Sequence, residues 1–419
     1  MNIPASALSM CLVTGLAPLC VASTIYVDGT GLTGDTMTIQ AAVDLAVSGD
    51  TIEIEEGIYV DDDGDGVIAH IDNKELTIRS ADGGVTLDGQ GAARGFLIDD
   101  STVYLYQLDL LDCAALDGEG GGGVWYESSG ENLWVISCTF TDCSAPIEFD
   151  NGGALHIVGD GSSSAYYEVD DCTFTSCTSA SYGGALYVYD ADGLIMHSAF
   201  TGCSSGNGGA CEFRDGEADI YQCTFDNNTA NNGGAIRIYT SDADIEIGES
   251  SFTGNQSTTG AAICQNRGDL AIYDSDIIDN VASFAGAIWL RDNDPAAIID
   301  VANCRFAGNE TTSSNSMAGI GGNLIINLTV TDSTFCDHPW EGDIEMAYTD
   351  GGGNELGQWC CPGDVDEDGD VDVDDLAALV TGYGDELLDA DDREDCTRDG
   401  SVDVVDLMGM LGQWGACSE

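Results

Sequence analysis

Hydrophobic residues along this chain recur with two periods at once. Over short stretches they alternate, with apolar pairs two positions apart at Val103/Leu105, Leu133/Val135, Tyr167/Val169, Ile245/Ile247, Leu270/Ile272, Ile299/Val301 and Leu328/Val330. Period-2 alternation turns one side of an extended segment inward and predicts β-strands. Each pair is followed five positions later by another apolar residue, in the series Leu110, Phe140, Phe174, Phe200, Phe225, Phe252, Ile277, Phe306 and Phe335. From Phe140 the steps are 34, 26, 25, 27, 25, 29 and 29 residues. A second signature, two glycines and an alanine before an alternating strand, recurs as Gly152-Gly153-Ala154-Leu155, Gly183-Gly184-Ala185-Leu186, Gly208-Gly209-Ala210-Cys211 and Gly233-Gly234-Ala235-Ile236. Weaker copies open at Gly260 and Ala285. A unit this short cannot bury its own apolar face, whereas parallel stacking of many such units does, each strand pairing with its copies above and below. The glycines mark tight corners and close contacts between coils.

The position three residues after each member of the apolar series reads Cys113, Cys143, Cys177, Cys203, Asn228, Asn255, Asn280 and Asn309. In a parallel stack these residues lie one above another, about 4.8 Å apart. Asn at a turn tolerates left-handed backbone and bonds its own ladder. The Cys rungs fall within the Cα separation of roughly 4.4–6.8 Å that a disulfide spans, and Cys138 with Cys172 forms a second inward pair by the same logic. Two readings stay open: a disulfide column, or a column of reduced, buried thiols packing as small apolar groups. Asn227-Asn228-Thr229 and Asn255-Gln256-Ser257 match the glycosylation pattern, but the turn ladder is the preferred reading of both.

Composition narrows the function classes. The 419 residues carry 10 Lys plus Arg against 75 Asp plus Glu, a formal charge of −65, which repels phosphates and argues against nucleic-acid binding. An apolar fraction of 43% is too high for a disordered acidic chain. Residues 5–22 form the only long apolar run and end in Val21-Ala22-Ser23, as a secretory signal peptide over 1–23 does, although no Lys or Arg precedes the run. The expected location is therefore extracellular or at the cell surface, with no transmembrane span in the mature chain. Of 17 Cys, Cys11 and Cys20 lie in this leader. So high a density in an exported chain favours disulfides over thiolate metal sites.

The Gly-Gly-Ala-(Ile/Leu) and Phe-x-x-Asn repeats resemble the right-handed parallel β-helix of the pectin-lyase-like superfamily, and are most similar to its polymorphic outer-membrane type. The opening Thr38-Ile39-Gln40-Ala41-Ala42-Val43, Gly49-Asp50-Thr51-Ile52-Glu53-Ile54 and Gly57-Ile58-Tyr59 looks like the start of that superfamily. The resemblance implies an all-β, right-handed, single-stranded solenoid over 24–345 with a short N-terminal capping helix. It is specific for fold and weak for function.

After residue 345 a linker is expected over 346–361, then a small domain over 362–419. Residues 364–375 place Asp364, Asp366 and Asp368 at positions 1, 3 and 5 of an EF-hand-like loop, Gly369 at 6, Asp370 at 7 and Asp375 at 12. Alternation gathers these carboxylates around one point, where without a cation they repel; a hard ion such as Ca²⁺ requires such an oxygen set. A helix is expected from about Leu376. A second copy begins 31 residues later, with Asp395, Thr397, Asp399, Gly400, Ser401 and Asp406 at positions 1, 3, 5, 6, 7 and 12. Tandem loop–helix repeats of this kind resemble a type I dockerin, which implies a calcium-ordered α-helical module and a cohesin-like partner on a surface or scaffold protein. Asp61, Asp63, Asp65, Gly66 and Asp72 repeat the loop spacing between strands, where a calcium site and a plain acidic loop are equally consistent with the residues.

Alternation after each Gly-Gly-Ala assigns an outward face. Its first column reads Tyr126, His156, Tyr187, Glu212, Arg237, Cys264 and Trp289, and its second Ser128, Val158, Tyr189, Arg214, Tyr239, Asn266 and Arg291. Three of the ten basic residues thus gather among five aromatics on an otherwise acidic chain. Rings stack on sugar faces and Arg forks onto carboxylates, so the face suits a polysaccharide, including an anionic one. Exposed strands also favour Tyr, Trp and Arg for purely structural reasons, and Glu212 beside Arg237 is equally a cross-strand pair. For catalysis the candidates are Glu212, Arg237, His156 and Tyr187, with Arg237 in the place of a lyase base and Tyr187 as acid. The Asn-Thr-Asp and Arg-Ile-Lys motifs of the superfamily's glycosidases are not found. The first expectation is therefore a non-catalytic adhesion, structural or glycan-binding protein, and the alternative an extracellular polysaccharide lyase or glycoside hydrolase.

Overall fold

The computed structural model describes residues 22–31, 34–160, 165–239, 244–291, 297–312, 318–322, 327–336, 343–344, 346–358, 365, 370–371, 373–382, 402, 404–412 and 415–416. Among these, three long parallel sheets wind into a β-solenoid. Sheet A has 13 strands, from Thr24–Val27 to Thr349–Gly352; sheet B has 12, from Gly57–Tyr59 to Glu355–Gln358; sheet C has 10, from Val67–Asp72 to Ile320–Gly322. Each coil visits A, then B, then C. The last strands of A and B fall within the stretch expected to be a linker.

The register is in step from coil to coil. Phe140, Phe174, Phe200, Phe225 and Phe252 pair in succession along sheet B. Their rings pile face to face, with centroids 4.8, 4.6, 4.9 and 4.7 Å apart. All five are fully buried in one continuous core that also takes the inward residues of sheets A and C. The alternating pairs read from the sequence, such as Leu133/Val135 against Tyr167/Val169, face that core from sheet A.

The corners explain the repeat. Gly183 sits at φ 59, and a Cβ there would lie 2.1 Å from the carbonyl oxygen of Leu186. Its neighbour Gly184 has ordinary φ, but a Cβ on it would meet the Gly209 oxygen of the next coil at 2.0 Å. The two glycines are thus demanded by different contacts. Between sheets B and C the left-handed residue is the one before each Cys or Asn of the column: Asp142, Ser176, Asn227 and Asp279 have φ of 55, 55, 55 and 56. The Asn residues themselves point inward, fully buried, rather than adopting the left-handed turn. Asn255 Nδ2 donates to Phe225 O and to Asn280 Oδ1, both at 2.9 Å, and its Oδ1 accepts from the N–H of Asn228 at 2.9 Å.

The disulfide reading of the Cys column is corrected: Cys113, Cys138, Cys143, Cys172, Cys177 and Cys203 are free buried thiols. In a parallel, in-register column all Cα–Cβ bonds point the same way, so Cβ separations stay near the strand spacing of about 4.8 Å, beyond the roughly 3.5–4.5 Å a disulfide needs. The Cys177 thiol donates instead to Phe140 O at 3.5 Å. Cys138 and Cys172 belong to a Ser/Cys column at the corner between A and B, where Ser198 Oγ accepts from the Cys172 N–H at 3.1 Å. Cys336, near the last coils, is disulfide-bonded.

Helix α1 (Ile39–Leu45) precedes the second strand of sheet A, with the Thr38 side chain accepting from the Ala41 N–H at its N-terminus and with Ile39, Ala42 and Val43 buried in the solenoid core. Near the C-terminus lie α2 (Val373–Gly382) and α3 (Val404–Gly412), joined through a small core of Val371, Leu379, Val402 and Met410. Asp370–Val371 pairs antiparallel with Gly415–Ala416 and brings the two ends of this segment together. No helix among the described residues is long and apolar enough to cross a membrane, and the expected leader lies outside them up to residue 21.

Candidate functional site

The site is built on sheet C, whose outward residues form two columns along the solenoid axis. By register the first runs Trp125, His156, Tyr187, Glu212, Arg237, Cys264 and Trp289. Tyr126 is not in it. Four consecutive glycines, 120–123, precede this strand, and Gly121, at φ 64, takes the corner that Gly152 takes one coil later. Gly123 therefore stands in the Ala position, and Trp125 rather than Tyr126 pairs with His156. Tyr126 is fully buried inside the core, and Ser128 is also buried, leaving Glu127 in the second outward column.

The first column is outward but not exposed. Glu212 is 0% accessible and Tyr187 6%, whereas Tyr189 and Tyr239 of the second column reach 39% and 40%. The loop residues Asn151, Tyr182, Asn207, Asn232 and Thr259, bridged from coil to coil, rise along the first column's other flank. The first column is thus covered by its neighbours, and the second is the more accessible of the two.

At the centre lies a charged cluster. Glu212 accepts from Arg214 Nε at 2.7 Å, and Arg237 Nη1 reaches the two Glu212 oxygens at 3.4 and 3.5 Å. The Arg214 guanidinium lies 4.0 Å from the ring centroid of Tyr182, 5.1 Å from Tyr239 and 5.9 Å from Tyr187. Arg237 lies 4.9 Å from Tyr239, with Nε 3.5 Å from Asn266 Oδ1. Burial pushes the Glu212 carboxyl up to about 7, against the pull of the two guanidiniums. Burial also disfavours the charged form of Arg214, but the Glu212 carboxylate outweighs it and raises the Arg214 pKa. Two cations sharing one carboxylate leave a local excess of positive charge on a chain of net −65.

Sequence reasoning placed Glu212, Arg214, Arg237, Tyr187 and Tyr239 on this face, and the structure gathers them. It missed Tyr182, although a residue directly before each Gly-Gly recurs and was available as a signal. His156 stays apart, two rungs from Glu212, or about 10 Å. Its Nδ1–H donates to Glu119 O at 2.6 Å, and burial depresses its pKa to about 4, so it is neutral at pH 7. Burial raises the Tyr187 phenol, moving it away from ready proton donation. Trp289 packs with Cys264 and Ala285 in a separate apolar cluster, and Arg291 is exposed near it. Three carboxylates, Asp72, Asp99 and Glu127, are successive register partners in the second outward column, and desolvation with the charges of Asp99 and Asp100 raises the Glu127 pKa.

Asp61, Asp63 and Asp65 bring ligand oxygens within 4.8 Å of one another. Desolvation works to raise the Asp61 carboxyl, but the N–H groups of Gly66, Gly64 and Asp63 together outweigh it and hold it below its usual range. Asp72 does not join them; it ends a sheet C strand opposite Asp99. Of the C-terminal ligand set, Asp364, Asp366, Asp368, Asp395, Thr397, Asp399 and Ser401 lie outside the described residues. Asp370 falls in the antiparallel pair and Asp406 on α3. Asp375, fully buried at the start of α2, accepts from the Val365 N–H at 2.6 Å, which folds position 12 of the expected loop back onto position 2.

No protein-family model matches the sequence, and no curated protein is significantly similar to it. Among solved structures the chain is similar to the catalytic domain of a GH87 alpha-1,3-glucanase variant in complex with tetrasaccharides, at 12% identity and a TM-score of 0.33, covering 82% of this chain and 71% of that one. The complex of that domain with nigerose gives 12% identity and a TM-score of 0.27, covering 82% and 70%. Similarity at that level contributes nothing to the assignment of an activity.

Proposed function

We propose that this is an exported, calcium-binding β-solenoid that binds an acidic polysaccharide on sheet C without turning it over. The observation that carries the reading is the pair Arg214 and Arg237, sharing one buried carboxylate between the rings of Tyr182, Tyr187 and Tyr239. Sugar faces stack on such rings, and uronate carboxylates are the ligands that planar guanidinium forks recognise. Columns of such residues running across the coils suit a linear chain. The lyase or hydrolase alternative is less well served: Glu212 is sealed from substrate, His156 is committed to Glu119 O, and the two stand apart.

In this reading the solenoid is right-handed and α1 covers its first coil. The C-terminal helices form a dockerin-like module that tethers the protein to a cohesin-like partner on a surface or scaffold. Ca²⁺ there is held by Asp364, Asp366, Asp368, Asp370 and Asp375, and by Asp395, Thr397, Asp399, Ser401 and Asp406. What supports this is the loop spacing and the buried, backward-folded Asp375. The ion supplies charge neutralisation that lets the acidic loops close. The test is to incubate the full chain with polygalacturonate, alginate and pectin, with and without Ca²⁺, following unsaturated-product absorbance and reducing ends. Retention of a polymer without product is expected; turnover abolished by Arg237→Ala would establish the enzyme reading instead.

A further inference from the structure

A second site lies on sheet A, away from the charged cluster. Tyr104 and Trp134 are register partners on adjacent coils and stack face to face, with centroids 4.3 Å apart and planes within 7°. Tyr106, two residues along the same strand, lies 6.5 Å from Tyr104 with its ring within 3° of parallel. One face of Tyr104 is covered by Trp134. The other faces the preceding coil, where its register partner is Thr77. The aromatic pile therefore stops one rung short, above a side chain too small to fill the rung. At this point a cleft of about 640 Å³ opens, lined by Thr77, Arg79, Tyr104, Tyr106, Gln107 and Ser137 among others.

The lining specifies the occupant. Two parallel rings form a flat apolar wall, and Thr, Ser and Gln side chains around them supply both donors and acceptors. The cleft's one cation, Arg79, is held by Glu53, through Nε at 3.2 Å and Nη2 at 2.5 Å to the same oxygen. That pairing cancels its charge, so the cleft favours an uncharged ligand, unlike the cationic cluster on sheet C. A flat, uncharged body rich in hydroxyls is a pyranose ring. We propose that this cleft binds a neutral glycan, one sugar ring occupying the missing rung against Tyr104 and the next unit lying along Tyr106.

The test is calorimetric titration of the full-length protein with cellohexaose, xylohexaose, mannohexaose and maltohexaose. At least one is expected to bind in the micromolar-to-millimolar range, and Tyr104→Ala to weaken it about tenfold, as loss of one stacking ring implies. Thr77→Trp is the decisive variant, because it keeps both stacking rings, Tyr104 and Tyr106, and fills the rung with the missing ring; it is expected to abolish this binding while hexagalacturonate binding on sheet C persists. No heat from any of the four at millimolar concentration, or Thr77→Trp binding like the parent, would overturn the site. Neither outcome depends on the reading of sheet C.

Discussion

Replacing Glu212 with Gln isolates the charge at the centre of the sheet C cluster. The parent residue is sealed between Arg214 and Arg237, and burial lifts its carboxyl from 4.5 to about 7. Because the folded pKa exceeds the unfolded one, the native state holds the proton more tightly. This contribution to stability is full below about pH 4.5 and is lost as pH rises through about 7. The span corresponds to about 3 kcal/mol, taking 1.36 kcal/mol per pH unit. Binding follows the same proton. Above pH 7 the cluster carries two guanidiniums and one carboxylate, and below it the carboxylate is neutral, so affinity for a polyanion should rise on acidification. A unit charge about 6 Å from the ligand at an effective dielectric near 20 is worth roughly 2–3 kcal/mol before salt screening, and about tenfold in affinity after it. Calorimetry with hexagalacturonate at about pH 8.5 and about pH 5.5 should therefore show tighter binding at the lower value, both above the usual carboxylate range of the ligand. Glu212→Gln should bind tightly at both values, and its urea stability should lack the fall between pH 4.5 and 7. Parent affinity that is flat or weaker on acidification, or a Gln variant that keeps the parent's slope, would refute the placement of this charge.

Gly184→Ala should destabilise by more than about 3 kcal/mol in urea denaturation, since its Cβ would lie 2.0 Å from a backbone oxygen of the next coil. Gly202→Asn, at a corner of φ 65 where Asp142 and Asn227 stand in other coils, should cost less than about 1 kcal/mol. Asn255→Ala orphans the buried Asn228 N–H and interrupts the ladder, at a cost of about 2–4 kcal/mol, with faster hydrogen exchange centred on residues 228 and 255. Chelating calcium from the full chain should melt α2 and α3, seen as lost helical circular dichroism that returns with Ca²⁺; an unchanged spectrum would remove the calcium-ordered tail.

What could be read from the chain beforehand was whatever the repeat enforces. The Phe column, the alternating pairs of sheet A and the stacking of the Asn series into a ladder all follow from identical coils stacked in register, and Phe174 over Phe200 over Phe225 shows it directly. Reading failed where the repeat offers no landmark. Among four consecutive glycines nothing marks which one turns the corner, and a shift of one residue exchanged Tyr126 for Trp125. It failed again where a Cα distance stood in for a direction, as in the Cys column. Tyr182 was passed over because a loop position carries no alternation, yet Arg214 rests on its ring. Apart from Tyr126 and Ser128, the residues of the two columns do point outward, but their burial depends on the side chains beside them, which period-2 patterning does not describe.

The proposed role of sheet C stands or falls with one affinity. Titrating hexagalacturonate into the parent and into Arg237→Gln at fixed low salt should show binding by the parent and a loss of at least about tenfold in the variant, the range expected when a charge-assisted hydrogen bond is removed. Equal affinity in the two proteins, or no binding by either, would contradict the account.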